Sequence, residues 1–295
     1  MKHALVKCLS LSLSFLLIFT IFTTAASAAH VRKDLRLSSV SDKNVSNYEA
    51  IDLYIGNNKL YDKGLIIGDT KYIPLRSFVS VAIPNAKVTY DSKTKTMTVR
   101  GSGLTVSATA GAYVVYANDR ALFDLTPATV LSDGKMYLPE KTIAKIFTLR
   151  YSNTSGAIKF SGTPTPLIPA SKYYREDEVF WLARIIHAES VGESLLGQIG
   201  VGSVVLNRVS SKDFPNTIYS VIFDKKYGIQ FTPVANGTIY NTPAYNPKLA
   251  AKICLEGFRV SDEVLFFLEP KISTSFWISS TRKYAFSIGN HDFYE

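Results

Sequence analysis

The amino-acid sequence predicts a two-domain α+β protein. Its 295 residues suffice for two ordinary domains, and 46% of them are hydrophobic against 19% charged, so the chain should bury a core. Three prolines and small polar residues interrupt every periodic pattern within 163–174, which predicts a linker. Strand-like alternation precedes this segment, and helical spacing of apolar residues follows it. We therefore expect one domain at 50–162 and a second at 175–295.

The first 28 residues have the pattern of a secretory signal peptide. Lys2 and Lys7 form a basic start, an apolar run follows, and residues 26–28 (Ala-Ser-Ala) offer a cleavage site. A retained membrane anchor is the alternative, although the apolar run is short for a membrane span. Residues 29–49 then form an N-terminal extension. We expect a secreted, wall- or spore-associated protein with no stable membrane span after processing.

The positive charge of the chain lies in its first half. The net charge is +9, and residues 29–163 carry 18 Lys and Arg against 11 Asp and Glu, whereas residues 164–295 carry 13 of each. A basic module on a secreted protein can bind anionic cell-wall polymers, and a merely solubilising surface is the alternative. The export signal argues against a nucleic-acid partner.

Two segments of the first half share one pattern. IGDTKYIPLRSFV at 67–79 and SDGKMYLPEKTIA at 132–144 each predict a turn, a short strand and a proline that opens a helix. The segments 86–101 and 147–162 follow them, and each predicts a strand, a polar turn and a second strand. The first half is therefore predicted to be a repeated, β-rich α+β module.

Residues 50–161 resemble the repeated module known as the copper amine oxidase N-terminal-like domain. The resemblance rests mainly on the turn-strand-Pro-Leu-Arg unit, from which the second copy departs at Glu140-Lys141. Copper chemistry is not implied, because His30 is the only histidine of this half after processing and lies outside the repeat. The resemblance implies a non-catalytic module, either for targeting to the wall or as a spacer.

The second half contains a candidate catalytic carboxylate, Glu189. Four apolar residues spaced at i, i+3, i+4 and i+7 predict an amphipathic helix: Val179, Leu182, Ala183 and Ile186. Glu189 follows Leu182 by seven positions and so projects within about 20° of its direction. A carboxylate in a partly desolvated cleft has a raised pKa, as a general acid requires. The alternative is an exposed acid where the helix frays at Gly192.

Other polar residues near Glu189 have structural interpretations. Ser190-x-x-Glu193 matches a capping box for a helix that begins near Val191, so we favour capping over a role for Glu193 as a second acid. Asn207-Arg208 ends an apolar helical segment and predicts a C-terminal cap and a structural pair.

The sequence predicts neither a metal nor a cofactor. GxSxG and HExxH are absent, which argues against a serine hydrolase and a zinc peptidase. Cys254 is the only cysteine after processing and cannot form an internal disulfide. Its helical surroundings predict a buried structural thiol.

Several blocks of the second half resemble the spore cortex-lytic and cell-wall hydrolase family. They occur in order from about Glu178 to Glu295: HAESVGESLLGQIGVGSVVLNRV, FPNTIYSVIF, YGIQFTPVANGTIYNTP, VLFFLEP, FW and HDFY. The resemblance implies a secreted enzyme that cleaves peptidoglycan glycan strands. It also implies a mostly helical fold similar to lysozyme and lytic transglycosylases, with Glu189 as the single catalytic glutamate. Ser190 stands where the family commonly has alanine.

A single acid suits a lytic transglycosylase better than an ordinary glycosidase, which needs two carboxylates. In that mechanism Glu189 protonates the glycosidic oxygen and then accepts the proton of the muramoyl C6 hydroxyl. Hydrolysis and a non-catalytic role in wall or spore binding are the alternatives.

Residue type selects further substrate-binding candidates. Gln230 can form hydrogen bonds with sugar or amide groups, while Phe231, Tyr240 and Trp277 can stack on sugar rings. Core packing is the alternative for each aromatic residue. His291 is a candidate second polar partner, with a structural hydrogen bond as the alternative.

Overall fold

The computed structural model describes residues 48–126, 130–132, 134–226, 228–274 and 276–295. The predicted signal peptide at 1–28 and all but the last two residues of the predicted extension at 29–49 lie outside the described residues. A β-rich N-terminal lobe precedes a mainly helical C-terminal lobe, so the predicted two-domain α+β arrangement is confirmed. Among the described residues, no helix combines the length and apolar character needed to cross a bilayer.

The described residues of the N-terminal lobe form two sheets and two short helices. Its strands are β1 (Glu49–Ile55), β2 (Asn58–Lys59), β3 (Gly64–Ile67), β4 (Thr70–Pro74), β5 (Lys87–Asp91), β6 (Thr96–Gly101), β7 (Leu104–Thr109), β8 (Val114–Ala117), β9 (Arg120–Phe123), β10 (Val130–Ser132), β11 (Lys135–Pro139), β12 (Arg150–Thr154) and β13 (Ala157–Ser161). Its helices are α1 (Leu75–Ala82) and α2 (Glu140–Ile146). One sheet has the order β10-β11-β4-β3-β1-β13-β12 with β2 beside β1, and the other runs β5 to β9 in sequence.

A strand that ends in proline leads directly into a helix twice in this lobe. Pro74 ends β4 and is the N-cap of α1, and Pro139 does the same for β11 and α2. Proline suits this position because its fixed φ is compatible with a helix start and no helical N–H is lost. β4 and β11 pair antiparallel, with Leu138 opposite Ile73. Glu140 is buried and accepts a hydrogen bond from the Lys71 N–H at 3.2 Å, which ties α2 to β4.

The C-terminal lobe is built around three helices. Its elements are α3 (Ala170–Tyr173), α4 (Glu176–Ser190), α5 (Leu195–Ser210), α6 (Ile218–Ile222), α7 (Thr232–Asn236), a 3-10 turn (Thr238–Tyr240), α8 (Tyr245–Leu255), β14 (Phe266–Leu268), α9 (Trp277–Thr281), β15 (Tyr284–Ile288) and β16 (His291–Tyr294). The strands form a small sheet in the order β14-β16-β15. Helices α4, α5 and α8 pack against one another, and α5 is buried over most of its length.

Two glycines allow the neighbours of α5 to approach closely. A Cβ at Gly200 would lie 2.6 Å from the Phe293 ring of β16, and one at Gly202 would lie 2.6 Å from the Cys254 Sγ of α8. Cys254 is fully buried and free, as predicted for a structural thiol. Burial raises the pKa of this thiol to about 12, so it stays protonated at neutral pH.

A buried charge cluster joins the two lobes. Glu256, which directly follows α8, accepts hydrogen bonds from Arg120 Nε at 2.7 Å and Arg120 Nη2 at 2.8 Å. The Glu256 carboxylate also pairs with Lys145 Nζ at 2.7 Å and accepts a hydrogen bond from the Tyr174 hydroxyl at 2.5 Å. Burial opposes ionisation of Glu256, yet these donors hold its pKa below its usual value.

The segment 163–174, which connects the lobes, is tied to the N-terminal lobe. The N–H groups of Thr165 and Leu167 donate to the carbonyls of Phe147 and Ile146 at 2.9 Å each. Leu167 is buried in the core of that lobe. The connection therefore follows the surface of the N-terminal lobe instead of spanning solvent as a free chain.

Candidate active site

Helix α4 carries Glu189 to the edge of a groove. Acidic residues fill its first turn, where they suit the helix dipole, and Leu182, Ile185 and Ile186 are fully buried. The predicted amphipathic helix is therefore confirmed. Glu189 is half-buried in the last turn and borders the groove.

The groove has a volume of about 720 Å³ and is lined by several chain segments. These segments contribute His187, Ala188, Glu189 and Val191 near the end of α4, Arg208 of α5, Gln230 to Pro233, Asn236, Thr238 and Asn241, Phe267 to Glu269, Ile272 to Thr274, Ile278 and His291. The lining thus includes two histidines, one arginine and two glutamates, all of which can carry charge. A concave site with a few convergent polar groups is the usual place for a ligand to bind.

Glu189 has the ionisation behaviour of a general acid at neutral pH. Burial raises the pKa of its carboxyl to about 7, and the positive charge of Arg208 opposes this rise. Its carboxyl forms no hydrogen bond or ion pair with another described residue. The group is therefore free to donate a proton to a ligand in the groove and to accept one afterwards.

Arg208 is a groove residue that the sequence interpretation missed. The predicted C-terminal cap at Asn207-Arg208 is wrong, because α5 continues to Ser210 and its C-cap is Ser211. Asn207 has a structural role instead, since its Nδ2 donates to the carbonyls of Ser261 and Val264 at 2.9 Å each. The Nε of Arg208 donates to the Leu265 carbonyl at 2.8 Å, but the guanidinium also borders the groove. Burial lowers the pKa of Arg208 to about 10, against the opposing charges of Asp224 and Glu189. The sequence did not indicate that Arg208 is buried, because an arginine near the end of a helix is usually exposed to solvent.

Three buried nitrogen atoms around the groove have no hydrogen-bond partner among the described residues. They are His187 Nδ1, Arg208 Nη1 and His291 Nδ1. Burial lowers the pKa of His291, whose ring meets Phe267 edge to face at 5.3 Å. Buried polar atoms are normally satisfied in native proteins, so these three atoms make the groove a candidate site for a polar ligand. His291 therefore borders the groove, and its role as a polar partner of the substrate stays a prediction.

The capping-box prediction for Ser190 and Glu193 is wrong. Helix α4 continues through Ser190, whose hydroxyl donates to the Ile186 carbonyl at 2.7 Å. Helix α5 begins at Leu195, and its N-cap is Ser194, which accepts a hydrogen bond from the Gly197 N–H at 3.2 Å. A Ser190 that is still inside α4 cannot have the extended conformation of an N-cap.

Glu193 does not border the groove. Its carboxylate accepts hydrogen bonds from Asn290 Nδ2 at 2.8 Å and from the Asn290 N–H at 3.2 Å. It packs against Gly289, whose φ of 60° is the left-handed conformation that glycine favours. Glu193 therefore fixes the β15–β16 turn against the start of α5.

The remaining substrate-binding candidates divide between the groove and its surroundings. Gln230 and Phe231 border the groove, although Phe231 is only 3% exposed and belongs to the core. Tyr240 is 62% exposed and does not line the groove. Trp277 lines an adjoining cavity of about 750 Å³, which shares Gln230 with the groove.

Glu269 is a second carboxylate in the groove that the sequence analysis did not select. It follows β14 directly and is half-buried at the groove wall. The sequence VLFFLEP could have indicated this position, because a polar residue such as Glu269 at the end of a short apolar strand lies at the edge of a core. Within the described ranges, no group of three or more His, Cys, Asp or Glu residues could hold a metal ion.

Comparisons with known proteins match both lobes. Residues 192–294 match the Cell Wall Hydrolase family and residues 51–159 match the Copper amine oxidase N-terminal domain family. Glu189 lies just before the first of these spans. A spore cortex-lytic enzyme of Bacillus cereus is 39% identical over 120 residues, which are 41% of this chain and 45% of that protein.

Two further relatives are similar to the C-terminal lobe. Cell wall hydrolase CwlJ of Oceanobacillus iheyensis is 32% identical over 102 residues, which are 32% of this chain and 71% of that protein. The solved catalytic domain of the germination-specific lytic transglycosylase SleB from Bacillus anthracis is 37% identical, with 43% of this chain and 100% of that chain covered and a TM-score of 0.39. The chain spans about half the length of the spore cortex-lytic enzymes it matches.

Proposed function

The chain belongs to the cell wall hydrolase family, and from that premise we propose that it cleaves the glycan strands of peptidoglycan. The observation that carries the proposal is the position of Glu189. A half-buried carboxyl group with a pKa of about 7 borders an open groove and has no partner among the described residues. It is the chemical group that cleavage of a glycosidic bond requires.

The proposed mechanism is that of a lytic transglycosylase. Glu189 protonates the oxygen of the bond between the muramyl and glucosaminyl residues while the N-acetyl group of the substrate stabilises the anomeric carbon. The glutamate, now ionised, removes the proton of the muramoyl C6 hydroxyl, which attacks the anomeric carbon and closes a 1,6-anhydro ring. One carboxyl group thus acts as acid and then as base, without water. The SleB catalytic domain is described as a lytic transglycosylase, which supports this choice.

Substitution of Glu189 tests the proposal. Glu189→Gln should lower the release of fragments from purified peptidoglycan by at least about 100-fold, the usual contribution of a general acid. Glu193→Gln is the matched control, because Glu193 lies on the same stretch of chain but outside the groove. Sedimentation with peptidoglycan without cleavage by the unsubstituted protein would identify a non-catalytic wall- or spore-binding protein instead.

Hydrolysis is the second candidate mechanism, and Glu269 is the observation that favours it. Ordinary glycosidases place two carboxyl groups on either side of the bond, and Glu269 lies in the same groove as Glu189. Glu193, the second acid selected from the sequence, does not supply that carboxylate. In a hydrolytic mechanism Glu269→Gln would abolish activity, whereas in transglycosylation it would leave the anhydro products unchanged.

The proposed substrate-binding residues are Gln230 and His291, which border the groove beside Glu189. Phe231, which is 3% exposed, is proposed to support the groove wall from the core. Tyr240 and Trp277 lie outside it, so they can contact only the outer parts of a long glycan. Their replacement by alanine should therefore reduce binding of long strands more than binding of short ones.

We propose that the N-terminal lobe is a duplicated module that targets the secreted enzyme to anionic cell-wall polymers. Its excess of basic residues supports this role. The C-terminal lobe is proposed to be lysozyme-like. Sedimentation of the protein with walls should weaken when the anionic polymers are extracted or the salt concentration rises. Unchanged sedimentation would favour the alternative role of a spacer.

A further inference from the structure

Arg208 is a buried cation that lacks an ion pair. The residue is 5% exposed, and the two opposing charges that act on it, Asp224 and Glu189, form no ion pair with it in the described part of the chain. Its Nη1 is fully buried and has no hydrogen-bond partner in the described part of the chain. A charge in such a place is unfavourable unless it is compensated, so its retention calls for an explanation beyond stability.

The surroundings of Arg208 fix the guanidinium firmly in place. Its Nε is bound to the Leu265 carbonyl at 2.8 Å, and its Cζ lies 4.9, 5.1 and 5.3 Å from the ring centres of Phe214, Phe231 and Phe266. A guanidinium held by three rings and a carbonyl loses little further freedom when it binds a ligand. The groove therefore has a preorganised donor beside Glu189.

The proposed substrate presents a problem of discrimination that this donor can solve. A peptidoglycan strand alternates two sugars, and both carry an N-acetyl group. Only the muramyl residue carries a lactyl group, which ends in a carboxylate or, when substituted, an amide carbonyl. That group is therefore a feature by which an enzyme can distinguish the two alternating bonds. Guanidinium groups bind carboxylate and carbonyl oxygens in preference to hydroxyls.

We propose that Arg208 is the specificity residue of the groove and donates a hydrogen bond to the lactyl acyl oxygen of a muramyl residue. This inference rests on the proposed function. Arg208 takes no part in bond cleavage, because it binds the substituent and not the reacting atoms. It fixes the register of the strand, so that the muramyl side of the correct bond faces Glu189.

Binding measurements with two glycans test the inference. The full-length processed chain carrying Glu189→Gln is titrated with a peptide-free muramyl-glucosaminyl tetrasaccharide and with chitotetraose, which lacks lactyl groups. Adding Arg208→Met should weaken binding of the muramyl glycan about tenfold or more, as expected for a hydrogen bond to a charged group, and leave chitotetraose binding unchanged. A third arm with a peptide-bearing muramyl glycan separates a free carboxylate from an amide carbonyl as the acceptor.

Two further variants control for folding. Arg208→Lys keeps the charge and should restore part of the preference for the muramyl glycan. Arg184→Met removes an arginine of α4 that stacks on Phe180 and binds the Asn241 carbonyl but does not line the groove, so the preference should persist. The inference is overturned if Arg208→Met weakens the binding of both glycans equally or of neither. It is also overturned if the parent protein binds the muramyl glycan no more tightly than chitotetraose. Failure of the proposed function would appear separately, as cleavage activity retained by Glu189→Gln.

Discussion

The guanidinium of Arg208 and the carboxyl group of Glu189 border one groove and shift each other's ionisation in opposite directions. Arg208 restrains the burial-driven rise in the pKa of Glu189, and Glu189 restrains the burial-driven fall in the pKa of Arg208. The helices α4 and α5 supply one member each, so the pair depends on their packing. The remaining titratable groups at the groove are His187, Glu269 and His291.

The pH profile of cleavage should report this relationship. A general acid must be protonated in the free enzyme, so kcat/KM should decline as pH rises through about 7. Arg208→Met removes a charge that lowers the pKa of Glu189, so the declining limb should move to higher pH. Arg208→Lys should leave the limb close to its original position. Initial rates on soluble glycan fragments across pH 5 to 9 measure the shift. If kcat/KM declined at the same pH in the unsubstituted protein and both variants, the effect of Arg208 on the pKa of Glu189 would be contradicted.

Folding stability should also depend on Glu189. Its folded-state pKa exceeds the unfolded value, so the native state binds more protons between the two values and loses stability as pH rises from about 4.5 to about 7. Glu189→Gln cannot lose a proton and escapes this penalty. The variant should therefore gain stability over the parent at pH 8, on the order of 2 kcal/mol, and little at pH 4. Urea unfolding at both pH values checks the difference.

Loss of the charge cluster between the lobes should destabilise the protein. Glu256→Gln leaves Arg120 buried without its ion pair, which should lower the free energy of unfolding by about 3 kcal/mol. The native pKa of Glu256 is depressed, so its contribution is present above the unfolded pKa and disappears as pH falls through the folded one. Asp177→Asn, at an exposed ion pair, is the control and should leave the free energy of unfolding almost unchanged. Equal effects of the two substitutions would contradict the assigned role of the cluster.

The contact between Gly202 and Cys254 should limit side-chain size in the core. Gly202→Ala places a methyl group 2.6 Å from the Cys254 Sγ and should destabilise the protein by about 1–3 kcal/mol. Cys254→Ala removes that sulfur, so the double variant should be more stable than the sum of the single effects predicts. Thermal unfolding of the four proteins measures the coupling. Strict additivity would show that the steric conflict lies elsewhere.

The sequence predicted those features that depend on local pattern. The two-domain arrangement, helix α4 and the buried Cys254 follow from periodicity, prolines and composition, and the position of Glu189 in a groove agrees with its helical spacing. The capping box failed because Ser190 and Ser194 both suit an N-cap, and tertiary packing extended α4 past the first.

Features that depend on distant chain segments could not be predicted. Arg208 and Glu269 reach the groove only because α5 and the segment after β14 pack beside the end of α4. Tyr240 and Trp277 have the residue types of sugar-binding aromatics, yet the chain carries them outside the groove. The ion pair of Arg120 and Glu256 joins residues far apart in sequence, and nothing local to either indicates its partner.

Mass spectrometry of the fragments released from purified peptidoglycan in heavy-oxygen water tests the central claim most directly. If Glu189 is the single acid of a lytic transglycosylase, the unsubstituted protein releases fragments ending in 1,6-anhydromuramyl residues without heavy oxygen, and Glu189→Gln releases none. Fragments with heavy oxygen at the new reducing end, or anhydro fragments released by Glu189→Gln at the rate of the unsubstituted protein, would contradict this account.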